Sequence, residues 1–300
     1  MSGISSLAEF DGAVKKLFRK SKNLNNRPLD GPNTYTVTLW DLSTWKEVDI
    51  VIDERLCAHP SLEGQLLSSK PSEDGELWVC YLEKALAAHC GGWDKITGGQ
   101  CTHAWALMTG CKEQYTMKQN KSTGKYGCYA RYNPMDKKWT KHTNSPHDSD
   151  GSIYRVAWPQ VGGGGDKEKE LTVEELFLRL CAWDDTNYIM GAGRSSQGSV
   201  GTLSEGMVDN HAYSVIEAKK GVAGTKIDLL KVRNPWGKGE IQNGMFDDDG
   251  PGWDKYPQIK KKLNPVVADD GIFWVTKEEF FEVYDTFYLS ASNMTEFLED

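Results

Sequence analysis

The sequence contains no long apolar run. A membrane-spanning helix needs about 18 consecutive apolar residues, and polar or charged residues interrupt every stretch of that length. The first ten residues also lack the basic start and apolar centre of a signal peptide, and they include Glu9. We therefore expect a cytoplasmic protein without a transmembrane segment.

Cysteines are few and irregularly spaced. The chain has seven, an odd number, and Cys80, Cys90, Cys101 and Cys111 are separated by nine or ten residues. A disulfide-stabilised secreted domain would need a denser, even set, and a zinc site would need ligands in close pairs such as C-x-x-C. Neither class fits, and we expect free thiols in a reducing compartment.

The chain also lacks an excess of basic residues. Its formal net charge is -8, which argues against general nucleic-acid binding, because that requires a basic face. One basic run near the N-terminus comprises Lys15, Lys16, Arg19, Lys20, Lys22 and Arg27. We interpret it as a solvated helix face, with peripheral contact to an anionic membrane as the alternative.

Apolar and aromatic residues are plentiful enough for a large core. Hydrophobic residues make up 39% of the chain, with 11 Trp, 12 Tyr and 9 Phe, a composition that excludes general disorder. The length of 300 residues allows one large domain or two ordinary ones.

Helical patterns dominate the first part of the chain. Ser5 or Ser6 can cap a helix to about Lys20, and a second helix is predicted from Gly75 to about His89. Between them, residues 34–39 and 48–52 alternate in polarity and predict a β-hairpin. The segment from Gly91 to Gly110 is expected to be an irregular, tightly packed loop.

Strand patterns dominate the last part. After a helix that begins with the capping box of Thr172 and Glu175, strands are predicted at His211–Glu217, Ile227–Arg233 and Ile272–Val275. The polar, glycine-containing residues 117–170 are expected to be an insertion, partly loop. The order of elements predicts an α+β protein of two lobes.

Two of these strands bring chemistry-bearing residues together. His211 begins one strand, and Asn234 directly follows the next, so a hairpin would make them neighbours. A Cys-His-Asn enzyme needs this arrangement, because the Asn carbonyl orients the imidazole while the other ring nitrogen deprotonates a thiol. Trp236 could shield the pair from water. The alternatives are a structural histidine and a simple strand-ending turn at residues 234–237.

Several spaced motifs resemble the protease core of the calpain family. They are His211 to Val215, Leu230 to Gly237, Leu77-Trp78 with Leu82 to Ala85, Gly98-Gly99 with Thr109-Gly110, Trp40 and Trp45 with Val51 to Asp53, and Asp270 to Trp274. The resemblance covers most of residues 4–116 and 171–291. It implies a papain-like, two-lobed cysteine protease fold, with a helical first lobe and an antiparallel, β-rich second lobe. The implied domains are a first lobe at 1–116, the insertion at 117–170, and a second lobe at 171–300.

The family's nucleophile is not matched in this chain. It lies in a Gly-Asp-Cys-Trp motif that opens a helix, and the family helix continues in a pattern similar to Ile4-Ser5-Ser6-Leu7. This alignment would place the cysteine about three residues before Met1, so we expect the first lobe to lack its nucleophile segment. Cys101 stands in a segment that looks similar out of context, Gly98 to Trp105. The family has a non-catalytic loop there, so we expect neither Cys101 nor His103 to take part in catalysis.

The resemblance also implies calcium as the candidate ion. The acids that match family ligand positions are Glu240, Asp247 and Asp270 in the second lobe and Glu76 in the first, and Ala268 matches a backbone-carbonyl ligand. Oxygen ligands of this kind suit Ca²⁺. Because Ile272 replaces a further acid of the family, we expect a weak or empty site. The alternative is that these acids are ordinary surface residues.

The preferred reading is a calpain-like cysteine endopeptidase core that performs limited cleavage of intracellular proteins. Its partners would be protein or peptide substrates. His211 would be the general base, oriented by Asn234 and covered by Trp236, and the chain alone is expected to be inactive. The alternative is a non-enzymatic calpain-like module that binds proteins or serves as a scaffold.

Overall fold

The computed structural model describes residues 1–22, 33–62, 65–67, 69–71, 75–133, 138–139, 144, 153–195 and 207–298. Its helices are α1 (Ser2–Leu7), α2 (Asp11–Leu17), α3 (Trp78–Cys90), α4 (Cys101–Thr109), α5 (Val173–Asp184), α6 (Gly252–Lys255), α7 (Pro257–Leu263) and α8 (Lys277–Val283). Its strands are β1 (Thr34–Asp41), β2 (Lys46–Asp53), β3 (Gln114–Gln119), β4 (Tyr126–Ala130), β5 (Tyr132–Asn133), β6 (Lys138–Trp139), β7 (Tyr154–Arg155), β8 (Ile189–Arg194), β9 (His211–Lys219), β10 (Leu229–Arg233), β11 (Ile272–Thr276) and β12 (Thr286–Ser290).

In the first lobe, α2, α3 and α4 pack against the β1–β2 hairpin, and α1 packs against α4. The hairpin runs in register from Thr34 opposite Asp53 to Asp41 opposite Lys46. Its core is built from side chains that are almost fully buried, including Leu7, Val37, Leu39, Leu82 and Trp105. Strand alternation and the apolar stripes of the helices therefore converge on one core, as the pattern predicts.

The predicted helix from Ser5 or Ser6 to Lys20 is two helices. The chain leaves helical geometry after α1 and starts α2 at Asp11, with Phe10 as the preceding cap residue. Asp11 and Gly12 are weak helix formers, and Gly12 lies so close to Phe297 that an added Cβ would be 3.0 Å from its Cα. The prediction of one continuous helix was wrong because it counted only the apolar stripe.

The segment from Gly91 to Gly110 is not the irregular loop that its glycines indicate. Helix α4 occupies residues 101–109 and ends at Gly110, whose φ of 72° lies in the left-handed region that favours glycine. Seven of its nine residues are buried, so the helix has no polar face and no amphipathic period. A helix that is buried all round escapes detection by periodicity.

The second lobe is organised around one antiparallel sheet. The strand order is β11-β10-β9-β8-β12-β3-β4-β7, and each recorded pair is antiparallel. Helix α5 packs against β9 and β8 and starts with the predicted capping box of Thr172 and Glu175. The α+β class, with a helix-rich first lobe and an antiparallel second lobe, is confirmed.

Residues 117–170 contribute to this sheet. The second half of β3, all of β4 and β7 come from that range, and Trp158 is only 2% exposed within the second lobe's core. Strand β4 has four buried residues out of five, so it shows no alternation of polar and apolar residues. The segment expected to be an insertion thus contains structural parts of the lobe.

The basic run near the N-terminus forms ion pairs across the first lobe. Arg19 lies 2.7 Å from Glu47, and Lys20 lies 2.8 Å from Asp49. Arg27 lies outside the described residues. Because these cations have acidic partners, the solvated-face interpretation is favoured over an anionic-membrane patch. Across the described ranges, no helix is both long and apolar enough to cross a membrane.

Candidate active site

The hairpin of β9 and β10 places His211 beside Asn234. The strands pair with Lys219 opposite Leu229 and Ser214 opposite Arg233, with one irregularity in register near Lys231. The start of β9 therefore lies next to the end of β10. Nε2 of His211 is 3.0 Å from Oδ1 of Asn234.

The side-chain amide of Asn234 has a fixed orientation. Asn234 is fully buried, and its Nδ2 donates to the backbone carbonyls of Lys238 and Gly239, at 2.8 Å each. Its backbone N–H donates to the carbonyl of Gly271 at 2.7 Å. These bonds leave Oδ1 as the acceptor that faces the imidazole.

This orientation determines the tautomer of neutral His211. Because an amide oxygen only accepts hydrogen bonds, Nε2 of His211 carries the proton and Nδ1 has the free lone pair. Burial lowers the pKa of the half-buried His211, although the bond to Asn234 opposes that shift. A neutral imidazole with a free Nδ1 is the form that can accept a proton from a thiol.

Aromatic rings enclose the imidazole on two sides. The Trp236 ring lies 4.7 Å from the His211 ring, and the Tyr213 ring lies 5.0 Å away at a near-perpendicular angle. Trp236 is 57% exposed, whereas Tyr213 is fully buried. Trp236 thus separates the imidazole from solvent, and Tyr213 holds it from the core side.

The N-terminal end of α1 reaches the same strand from the first lobe. The Ser2 hydroxyl donates to the carbonyl of Ala212, the residue after His211. Further along α1, the Ser6 hydroxyl donates to Ser214 at 2.9 Å. The first lobe therefore meets β9 directly beside the imidazole.

Cys101 is poorly suited to act as a nucleophile. It opens α4 and is 6% exposed, and burial raises the pKa of its thiol to about 11. A thiol with that pKa is protonated at neutral pH, whereas catalysis needs the thiolate. His103 is 2% exposed within the same helix. The described contacts of His211 are with Asn234, Tyr213 and Trp236.

Acidic residues surround an open depression of about 790 Å³ in the second lobe. Glu240, Asp247 and Asp248 line it together with Ala268. Burial raises the pKa of Glu240 to about 7, and the nearby charges of Asp248 and Asp270 add to that shift. The carboxylates are thus close enough to repel one another.

These acids bond to the backbone. Glu240 accepts from Gly271 N at 2.9 Å, Asp247 from Gly244 N at 2.9 Å, Asp248 from Ala268 N at 2.7 Å, and Asp270 from Ile272 N at 2.8 Å. No three acidic, histidine or cysteine side chains among the described residues converge as metal ligands. Glu76 lies in the first lobe, exposed and just before α3. The donor chemistry suits calcium, but the described placement does not.

Two residues that support these sites were not predicted from the sequence. Gly271 has a φ of +79°, and an added Cβ would lie 2.9 Å from the carbonyl of Asn234, so glycine lets this turn reach the asparagine. Asp248 lines the depression but was not among the predicted ligands. The dipeptide Asp270-Gly271 signals a turn, but only the fold shows that it supports Asn234.

A histidine bonded to a buried asparagine is the arrangement that orients the base in a Cys-His-Asn cysteine protease. The profile described as "Calpain family cysteine protease" matches residues 1–291. The chain belongs to this family.

Curated calpains are similar over most of the chain. Mouse Calpain-12 is 27% identical over 250 residues, which cover 83% of this chain and 27% of that protein. Human Calpain-9 is 27% identical over 248 residues, or 82% of this chain and 28% of that protein. Rat Calpain-5 is 24% identical over 295 residues, which cover 93% of this chain and 38% of that protein. The chain spans well under half the length of each relative.

Proposed function

We propose that the chain is the larger part of the catalytic core of a cytoplasmic cysteine endopeptidase that makes limited cuts in other proteins. The bond between His211 and Asn234 supports this most directly, because it fixes the tautomer that a thiol-activating base needs. The family adds the reaction class. In this proposal the papain-like cleft lies between the two lobes, and peptide substrates bind there.

His211 would act first as base and then as acid. Nδ1 accepts the proton of the nucleophilic thiol, and the thiolate attacks the carbonyl carbon of the scissile peptide bond. The tetrahedral species collapses with the C–N bond breaking, and Nδ1–H protonates the departing amine. Water then attacks the thioester with Nδ1 as base, which releases the acid and restores the thiol. Asn234 keeps Nε2–H bound throughout.

We further propose that the thiol comes from a segment that precedes α1 and not from the cysteines of this chain. The Ser2 hydroxyl contacts Ala212, so residues just before Ser2 would approach His211 from across the cleft. Cys101 is buried, and its pKa of about 11 argues against a thiolate. The chain alone would then have no peptidase activity.

Calcium is not assigned a catalytic step. We propose that the second-lobe acids bind Ca²⁺ weakly or not at all, because no three acidic side chains among the described residues converge as ligands and Ile272 offers no ligand. The acids make backbone hydrogen bonds in this arrangement. The loops around Asn234 would then be held by these bonds instead of by the ion.

The decisive experiment adds the proposed nucleophile segment. A Gly-Asp-Cys-Trp segment and one linking residue are joined before Met1, and casein cleavage and labelling by an epoxide inhibitor are measured. We expect the extended protein to cleave casein and the unextended chain to be inactive.

Two matched controls define the result. A serine in place of the added cysteine, and His211→Ala in the extended protein, should each abolish cleavage and labelling. Selective labelling of Cys101 with casein cleavage by the unextended chain would show that Cys101 is the nucleophile. A folded but inactive extended protein would favour a protein-binding module.

A further inference from the structure

Arg194 lies directly across the sheet from His211. The two residues are opposite partners in the antiparallel pairing of β8 and β9, the last pair at that end of the ladder. Opposite residues in an antiparallel pair project to the same face of the sheet. An arginine thus shares the face of the imidazole, at the strand end where His211 begins.

This arginine is buried, and its recorded partner is the acid two residues before His211. The side chain of Arg194 is 5% exposed, and its Nε donates to Oδ1 of Asp209 at 2.7 Å. Its buried Nη1 has no hydrogen-bond partner among the described residues. A buried guanidinium depends strongly on a carboxylate that bonds to it.

Asp209 belongs to the turn that leads into β9. The next residue, Asn210, has a φ of 51°, a left-handed conformation that asparagine tolerates better than most residues. On the other side, Val208 N–H donates to the Tyr213 hydroxyl at 2.9 Å. The turn is therefore tied to β8 through Arg194 and to β9 through Tyr213.

We propose that Arg194 is a positioning residue for His211, which acts through Asp209 to hold the turn that sets where β9 begins. Without the ion pair, the turn would loosen at Asp209, and the imidazole would lose both its burial and its alignment with Asn234. This inference rests on the proposed role of His211, but its test needs no catalytic activity.

The test measures the imidazole of His211 by ¹⁵N NMR in the unextended chain. The variants are Asp209→Ala and Arg194→Met, and the signal is assigned by its loss in His211→Ala. One readout is the fraction of the neutral ring protonated at Nε2. The other is the pKa of His211, which burial holds below the ordinary value of 6.5.

The two variants separate positioning from simple electrostatics. Through charge alone, loss of the Asp209 carboxylate would lower the pKa of His211, and loss of the Arg194 cation would raise it. Through positioning, both variants expose the ring and weaken its bond to Asn234. Because burial is the larger of these two opposing influences on the pKa of His211, both variants raise that pKa towards the ordinary value. Both also reduce the Nε2–H fraction, because Asn234 no longer selects that tautomer.

Matched variants complete the design. Arg194→Lys keeps the charge and one hydrogen-bond donor. It should therefore shift the pKa of His211 in the same direction as Arg194→Met, but by less. Asp228→Asn disrupts a different half-buried ion pair, in which Asp228 lies 3.0 Å from Lys277, and should leave both readouts unchanged. If Arg194→Met does not fold, the sign of the His211 pKa shift can still be compared between Asp209→Ala and Arg194→Lys.

The proposal would be overturned if the pKa of His211 shifted in opposite directions in Asp209→Ala and the arginine variants. An unchanged Nε2–H fraction would also overturn it. Failure of the extended protein to cleave casein would count against the proposed function alone. A normal imidazole signal in the ion-pair variants would count against the positioning role alone.

Discussion

Nε2 of His211 lies 3.0 Å from Oδ1 of Asn234, and the asparagine is held in turn by the carbonyls of Lys238 and Gly239. The histidine is thus oriented by a side chain whose own orientation is determined by backbone. A rotated amide would lose both of its donated bonds. The arrangement gives the imidazole one tautomer before any substrate arrives.

Asn234→Ala should make the Nε2–H tautomer of His211 less favoured. The variant removes the acceptor of His211 Nε2–H, so the Nε2–H fraction measured by ¹⁵N NMR should fall. It also leaves two backbone carbonyls without their donor, which should cost about 1–3 kcal/mol in the free energy of unfolding. Urea denaturation measures that loss.

Ser214→Ala is the control for Asn234→Ala. Ser214 is fully buried on β9, and its hydroxyl bonds to Ser6 at 2.9 Å and not to the Asn234 amide. The Ser214→Ala variant should lower the free energy of unfolding without changing the Nε2–H fraction of His211. An unchanged Nε2–H fraction in Asn234→Ala would contradict the orienting role.

The strands that carry this pair could be predicted because their alternation is regular. The prediction of 211–217 for β9 and 227–233 for β10 differs from the observed bounds by two residues at one end of each strand. The Thr172–Glu175 capping box of α5 is also observed. Local chemistry, such as caps and period-two patterns, was sufficient for these elements.

Elements that are buried on all sides could not be predicted in the same way. Helix α4 and strand β4 have hardly any exposed residues, so neither shows the polar face on which periodicity depends. The ion pair between Arg194 and Asp209 joins a residue of β8 to one in the turn before β9, and no local pattern relates them. Such contacts follow from the register of the sheet.

Cys101 should react slowly with iodoacetamide in the folded protein. It is 6% exposed, and burial raises its thiol pKa to about 11, so only about one thiol in ten thousand is ionised at pH 7. Mass spectrometry after brief labelling should find the exposed Cys57 modified long before Cys101. In urea the two rates should become similar. Fast, selective labelling of Cys101 in the folded protein would contradict its assignment as a structural thiol.

Glu9 should make the protein less stable as the pH rises. Burial raises the pKa of its carboxyl from 4.5 to about 8, and its buried Oε1 has no hydrogen-bond partner in the part of the chain that the structure describes. Between these pH values the folded state holds a proton that the unfolded state releases, so the free energy of unfolding falls with pH. Glu9→Gln removes this titration.

The stability gained by Glu9→Gln should therefore grow from pH 5 to pH 8, measured by urea denaturation at both. Glu278 has a side chain that is 74% exposed, and Glu278→Gln serves as the control, with little change at either pH. A Glu9→Gln effect of equal size at pH 5 and pH 8 would show that the carboxyl is not the group that titrates.

The acidic depression of the second lobe should not bind calcium tightly. Within the described part of the chain no three acidic side chains converge as metal ligands, and Ile272 supplies no oxygen where the family has a further acid. Calorimetry on this chain should give a dissociation constant weaker than about 1 mM, outside the range of calcium sensors. A micromolar value would contradict the proposal.

Restoring the acid gives the stronger form of this test. Ile272→Glu should bind Ca²⁺ at least about tenfold more tightly than the parent chain, because one added carboxylate supplies both charge and ligand. Ile272→Gln introduces a side chain of the same shape as glutamate but without the charge, and its affinity for Ca²⁺ should rise less. Since the pKa of Glu240 is about 7, protons compete with the ion, and the affinity of Ile272→Glu should be lower at pH 6 than at pH 8. Equal affinities of the Glu and Gln variants would show that the missing carboxylate does not limit calcium binding.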